Sequence, residues 1–414
     1  MQIQHIELSD FRNYKNLSID FSSGVNLLYG DNAQGKTNLL EAIYVSATTR
    51  SLRGSKDREL IRLGCSESHL SSRVVNRDCP HRVDMHLRKN KSKGVAVDGV
   101  PIKRSAELLG LLHVISFCPD DLSLVKAGPA ERRRFLDMEL SQIDGAYCSF
   151  LARYNRVLAQ RNNLLKQISG NLSLKDTVSV WDEQLVLYGT EIIKRRRAFV
   201  EELRPVVAEK HELLSGGSEH LRLSYLPNVT EEAYADKLAA GLERDIILRA
   251  TETGPHRDDI DFSVNDVSVR MFGSQGQQRT TALSLKLAEI ALVIKKRGEA
   301  PILLLDDVLS ELDRSRQQQL LAEIRNLQTI VTCTGMEEFV MQRSSENSIY
   351  YVLDGFMNVD DLDYFQDLDD KIAQMTGYRM ENHNIVFQGV CPECQIEELE
   401  AKKREVEKIG RAHV

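Results

Sequence analysis

The sequence predicts an α/β protein organised around a phosphate-binding loop, with a helical subdomain inserted into it. Three observations carry this. An apolar run, Val25 to Tyr29, feeds directly into Gly30-Asp31-Asn32-Ala33-Gln34-Gly35-Lys36-Thr37 and then into helical spacing. A second apolar run, Ile302 to Leu305, ends in Asp306 and Asp307. Between them lies a glycine-poor stretch of helical composition, residues 119–214.

The elements follow in order. Ile3, Ile6, Leu8, Phe11 and Tyr14, then Leu17, Ile19 and Phe21, space as strands do, and Val25–Tyr29 reads as a buried strand. From Lys36 the apolar positions Leu39, Leu40, Ile43, Tyr44 and Ala47 mark a helix. Residues 67–97 read as short strands with a basic turn near Arg88–Lys93. Two long amphipathic helices in 119–214 are expected to pair antiparallel across a short polar joint. Strands near 219–225 and 259–270, a helix over 276–297, the strand Ile302–Leu305, and a further helix and strand to about Val352 complete the pattern. This gives four segments: 1–118 and 215–357 as two parts of one domain, 119–214 as the insertion, and 358–414 as a tail of different texture.

A chain of 414 residues exceeds what one core usually serves, so several domains are expected. No stretch approaches the roughly 18 apolar residues of a membrane span. MQIQHIELSDF lacks the basic and apolar regions of a signal peptide. Seven scattered cysteines describe no disulfide framework, so a reducing cytoplasm is expected. The net charge of −7 argues against a nucleic-acid partner, but its origin is uneven. Residues 358–414 hold 13 acidic and 7 basic side chains, leaving the first 357 residues at 48 acidic against 47 basic. For that larger part, charge distribution rather than total charge decides.

Gly30 to Thr37 fits G-x-x-x-x-G-K-[ST], a loop whose glycines let backbone N–H groups close round phosphate oxygens at a helix N-terminus. Lys36 supplies a point charge to the β/γ-phosphates and Thr37 a hydroxyl ligand for Mg²⁺. The alternative, a bland turn, is answered by the strand before the loop and the helix after it. Asp306, at the C-terminal edge of a strand, is placed to hold Mg²⁺ beside Thr37, and Asp307 to orient or deprotonate water. Alone, that segment also reads as a strand followed by an acidic turn. Ser274, Gly276 and Gln277 open a helix and make a second anion-binding end. It serves either a nucleotide held by another copy of the chain or merely as the polar cap of a core helix.

These pieces in this order resemble the ABC-type ATPase heads of the SMC class. MQIQHIELSDFRNY, FCPDDLSLVKAGPAERRRFLD, YNRVLAQRNNLLK and TETGPHRDD resemble the RecF family of bacterial DNA repair proteins, over about residues 1–357. The resemblance implies an ABC-type head with a helical subdomain, a weak DNA-stimulated ATPase, and a head-to-tail dimer gripping ATP. Gly30, Asp31, Asn32, Ala33, Gln34, Gly35, Lys36 and Thr37 would bind ATP in one protomer. Ser274, Gly276 and Gln277 would close over the ATP of the other. Asp306 matches the metal carboxylate and Ser310–Asp313 the loop that crosses the dimer interface. Asp307 stands where many such heads have glutamate, and Thr332–Thr334 where many have a histidine. The implied function is ATP-gated binding of DNA at gaps and single-strand/duplex junctions, assisting RecA loading with RecO and RecR at the nucleoid. One alternative is an SMC-like tether with long coiled coils, against which an insertion of only about 95 residues speaks; another, from the tail only, is a metal-responsive regulator fragment, against which the missing helix-turn-helix domain speaks.

Candidate DNA contacts are Arg50, Arg53, Lys56 and Arg58; Lys89, Lys91 and Lys93; Arg132–Arg134; and Lys194–Arg197. Such runs are also what a solvated helix face looks like, and Arg133 or its neighbours could instead brace the head. The tail segment AQMTGYRMENHNIVFQGVCPECQ resembles the end of Fur/PerR metal-responsive repressors. Cys391 and Cys394 have zinc spacing but supply two of four ligands, and His383 lacks companions, so no closed zinc site is expected. KIGRAHV resembles translated sequencing-adapter DNA, and the tail is therefore expected to be a gene-assembly chimera.

Overall fold

The computed structural model describes residues 1–103, 107–168, 171–334, 348–353 and 356–359. His383, Cys391, Cys394 and the closing KIGRAHV lie outside the described residues.

The chain opens with the hairpin β1 (Gln2–Phe11) and β2 (Tyr14–Asp20), then β3 (Val25–Tyr29), the loop, α1 (Lys36–Thr48) and the short α2 (Asp57–Leu60). Four strands follow: β4 (Glu67–Asn76), β5 (Cys79–Arg88), β6 (Gly94–Val97) and β7 (Val100–Pro101). With the first hairpin they form an antiparallel sheet, β2-β1-β4-β5-β6-β7. A register shift between Ile3 and His5 lets Ile3 and Ile6, three positions apart, both reach the core.

After β8 (Val114–Phe117) the chain turns helical: α3 (Ser123–Lys126), α4 (Pro129–Ile143), α5 (Gly145–Ile168) and α6 (Ser179–Ser215). Then come β9 (Leu221–Leu226), α7 (Tyr234–Ala240), α8 (Leu242–Leu248), β10 (Asp259–Val264), β11 (Val267–Ser268), α9 (Val269–Phe272) and α10 (Gln275–Arg297). The last elements are β12 (Ile302–Asp306), α11 (Arg314–Glu323), β13 (Thr329–Cys333), β14 (Ser348–Leu353) and β15 (Phe356–Val359).

The second large sheet has the order β15-β14-β3-β13-β12-β8, with β14 through β8 parallel and β15 antiparallel at the edge. Its strands read as continuous apolar runs because both faces are covered. Leu28, Ile302, Leu304 and Ile330 point to a core shared with α1 and the antiparallel sheet. Their neighbours Leu27, Leu303, Leu305 and Val331 point to a second core against α10 and α11.

The helices α5 and α6 run antiparallel: Arg161, late in α5, bonds Asp182, early in α6, at 2.6 Å, while Tyr147, early in α5, accepts from Arg196 Nε at 3.0 Å. Their core continues through Leu223, Ile260 and Phe262 of the small sheet β11-β10-β9 into Ala282, Leu285 and Ala288 of α10. Because α10 is packed on both sides, even Lys286 and Glu289 are buried; they pair with each other at 3.3 Å. At 24 and 37 residues, α5 and α6 form a compact pair, not the arms of a long tether. Among the described residues no helix is long and apolar enough to cross a membrane.

Candidate nucleotide site and the surface around it

The loop's shape follows from its glycines. Gly30 has φ of 146°, and a Cβ there would lie 2.4 Å from the Val352 carbonyl oxygen of β14. Gly35, at φ of 117°, would meet the Asn13 amide at 2.6 Å. Both positions admit glycine alone. The turn between β1 and β2 braces the loop from outside: Asn13 Nδ2 donates to Gln34 O at 3.0 Å, and the Tyr14 hydroxyl to Gly35 O at 3.0 Å. Asn38 of α1 donates back to Asn13 Oδ1 at 2.8 Å. Behind α1, Glu41 is fully buried and accepts from Arg12 Nε at 2.8 Å and from the Ser51 hydroxyl.

Lys36 is buried, and its ammonium is held by the carbonyls of Gly30 and, at 2.8 Å, Asp31. Burial pushes its pKa down, opposed by Asp307 and Asp306 nearby. Thr37 Oγ1 donates to Asp306 Oδ1 at 2.8 Å. Thr332 of β13 donates to the same oxygen at 2.8 Å and accepts the Asp307 N–H at 3.0 Å. That bond helps hold Asp307 in a left-handed conformation, φ 56°, which aspartate tolerates better than most residues. Thr332 thus aligns both acidic residues. The Thr37 hydroxyl and the Asp306 carboxylate are hard oxygen donors, and their separation matches the ~2.9 Å expected of adjacent ligands on an octahedral Mg²⁺. A cavity of about 480 Å³ opens beside Asp306, lined also by Arg53, Cys118, Asp120 and Arg134.

Ser274 caps α10: its hydroxyl accepts from Gln277 N at 3.2 Å, and Gln277 Oε1 accepts from Ser274 N at 2.9 Å. Gln277 Nε2 donates to Glu219 at 2.9 Å. Ser274 is exposed, and a Cβ at Gly276 would make only an ordinary contact with Ser274 Oγ, at 3.8 Å. The side chains of Ser274 and Gln277 are engaged with each other and with Glu219, and the helix end faces outward. Ser310 donates to Asp307 O at 2.7 Å, and Asp313 caps α11 through Arg316 N at 3.0 Å.

Arg132 is buried and clamps Asp259 with two bonds, 2.6 and 2.9 Å; Arg133 donates to Asp258 O at 2.8 Å, and Arg134 to Leu52 O at 3.1 Å. Arg195 pairs with Asp144, Arg196 is buried between Asp137 and Asp258, and Arg197 pairs with Glu231. Most of these two runs are engaged in bracing the fold, while Lys194 and Arg134 keep 57% and 44% of their side chains exposed. Lys93 is likewise engaged, with Thr49 O and Asp57. Its bonds bring the 89–93 turn against residues 49–57, the two segments that carry the exposed cations Arg50, Arg53, Lys56, Arg58, Lys89 and Lys91.

A parallel sheet with the loop after β3, Asp306 at the end of the strand two places away, and a capped helix opening at Ser274 defines an ABC-type P-loop ATPase head. Residues 2–356 match the family model described as RecF/RecN/SMC N terminal domain. The chain belongs to the RecF family. It is 56% identical over 355 residues to the DNA replication and repair protein RecF of Lachnoclostridium phytofermentans, covering 86% of this chain and 99% of that protein. It is 52% identical over 361 residues to RecF of Agathobacter rectalis, covering 87% and 100%. Among solved structures, the recombination mediator protein RecF with ATP, in the RecFOR pathway, superposes with a TM-score of 0.81 at 34% identity, covering 86% of this chain and 97% of that one. The Smc head domain of Pyrococcus furiosus shares the fold at a TM-score of 0.53 and 18% identity, with 89% and 99% coverage.

Proposed function

We propose that this chain is an ATP-switched DNA-binding protein of recombinational repair and replication restart, a slow DNA-stimulated ATPase acting as a head-to-tail dimer. The observation that carries the reading is the meeting of Thr37 and Asp306 at the mouth of a glycine-shaped loop, in a chain of the RecF family. Segments 1–118 and 215–357 together make the head and 119–214 the helical subdomain. Residues Gly30 to Thr37 wrap the phosphates of ATP, and Lys36 exchanges its two carbonyl partners for β/γ-phosphate oxygens. Thr37 and Asp306 hold Mg²⁺, which neutralises charge building on the phosphates. Asp307 orients the attacking water. Ser274, Gly276 and Gln277 close over the ATP of the partner protomer, with Ser310–Asp313 crossing the interface.

The dimer presents the cations around Arg50–Arg58 and Lys89–Lys91 to the phosphates of duplex DNA beside a gap, and hydrolysis releases it. In the cytoplasm, at the nucleoid, it works with RecO and RecR to assist RecA loading. Lys36→Met tests the reading: by analytical ultracentrifugation with Mg-ATP the parent dimerises and the variant stays monomeric. Undiminished ATP-driven dimers in the variant would overturn the site assignment.

A further inference from the structure

The side chain that fixes the shape of the helix end at Ser274 lies well before it in the chain. Gln277 Oε1 accepts from Ser274 N, and this half of the capping box works only if the amide turns its oxygen that way. Turned over, the amide would set Nε2 against the Ser274 N–H, donor against donor. Glu219 decides between the two. An ionised carboxylate can only accept, and Glu219 Oε1 accepts from Gln277 Nε2 at 2.9 Å.

Glu219 is itself held in place. Its Oε2 lies 2.9 Å from His211 Nε2, and His211, buried on α6, has Nδ1 3.1 Å from the Ser284 hydroxyl of α10. Burial lowers the His211 pKa, so a neutral ring donates from Nε2 to Glu219. The backbone is tied on both flanks. Just before Glu219, α6 ends at Gly216 and Gly217, with φ of 65° and 77°; just after it, His220 N donates to Asn265 Oδ1 at 3.0 Å. The helix end is thereby preset. Capping uses the N–H groups of Ser274 and Gln277, and those of Gln275 and Gly276 have no partner inside the helix, as an anion requires.

We propose that Glu219 is a positioning residue for the nucleotide of the partner protomer, holding the Gln277 amide so that the helix end keeps the form that closes over that ATP. This role rests on the head-to-tail reading above, and Glu219 acts only through Gln277 and Ser274.

The test measures ATP-driven dimerisation of the full chain by analytical ultracentrifugation with Mg-ATP, beside the ATP affinity of protomers too dilute to associate. Glu219→Ala should weaken dimerisation about tenfold or more and leave protomer affinity as it was, because the loop at Gly30–Thr37 is untouched. Glu219→Gln still offers an amide oxygen to Gln277 Nε2 and should restore dimerisation. Undiminished dimers in Glu219→Ala, an equal loss of protomer affinity, or a Glu219→Gln variant as weak as Glu219→Ala would overturn the role while leaving the head-to-tail reading standing. A parent chain that does not dimerise with ATP would overturn that reading and this role with it.

Discussion

The Thr332 hydroxyl donates to Asp306 Oδ1 at 2.8 Å while accepting the Asp307 N–H at 3.0 Å, so one side chain of β13 sets both carboxylates at the end of β12. Thr332→Val keeps the shape and removes both bonds. ATP affinity should change little, because Lys36 and the loop are untouched, whereas turnover should fall about tenfold or more as Asp307 loses its orientation. Thr332→Ser should restore turnover. Parallel measurements of nucleotide affinity and steady-state hydrolysis check this, and equal losses in both would refute it.

Arg12 and Glu41 make a different kind of prediction. Glu41 is fully buried under α1 with Arg12 as its charge partner at 2.8 Å. Arg12→Ala strands a buried carboxylate and should cost about 3–5 kcal/mol of stability. Arg12→Ala with Glu41→Gln should recover much of it, measured by urea unfolding of both variants.

For DNA, the exposed cluster and the buried arginines should part company. Arg53→Glu with Lys89→Glu should weaken duplex binding and flatten its dependence on log salt by roughly two units of slope, leaving the melting temperature unchanged. Arg132→Ala should instead lower the melting temperature, since it frees Asp259 inside the fold. Binding isotherms across a salt series, beside thermal unfolding, separate the two.

Acid stability should report on His256. Burial is the main cause that brings its pKa down from 6.5 to about 4, with Arg257, Arg133 and Arg196 adding to the effect. Tyr154 bonds Nδ1 at 2.7 Å, and Nε2 meets the Thr251 carbonyl at 2.8 Å. The unfolded chain takes up this proton near pH 6.5 and the folded one only near pH 4, so stability is full above 6.5 and drains away between them. The group contributes up to about 3 kcal/mol. His256→Asn should remove about one proton from the slope of unfolding free energy against pH in that window. His113, lowered to about 4 by burial, and His211, also lowered by burial, should add to the dependence in the same sense.

The loop and Asp306 were legible because each sits at a change of period, from apolar strand to glycine turn and from apolar strand to carboxylates. RNY, following Phe11, was visible only as a string; that Asn13 and Tyr14 lean on the loop depends on how β1 and β2 lie across α1. Thr332 was legible only within Thr332–Thr334, where many such heads have a histidine; that it aligns both carboxylates arises from β13 pairing beside β12. Which of the arginine runs brace the fold stays open in the sequence for a related reason. Helical spacing shows which residues share a face, but not that Arg132 meets a carboxylate 127 positions on. The bulge after Ile3 likewise leaves no mark in an alternation read one strand at a time.

The parallel sheet places β3, made early, between β13 and β14, made late, with Val352 closing over Gly30. On the ribosome, the loop therefore emerges long before the strands that shape it. At bacterial elongation speeds the wait is roughly 15–60 s. Throughout that interval β3 has neither sheet neighbour, and only the face that carries Leu28 can pack on β1 and α1. A chain ending before β13 would carry every loop residue yet lack both strands that flank β3.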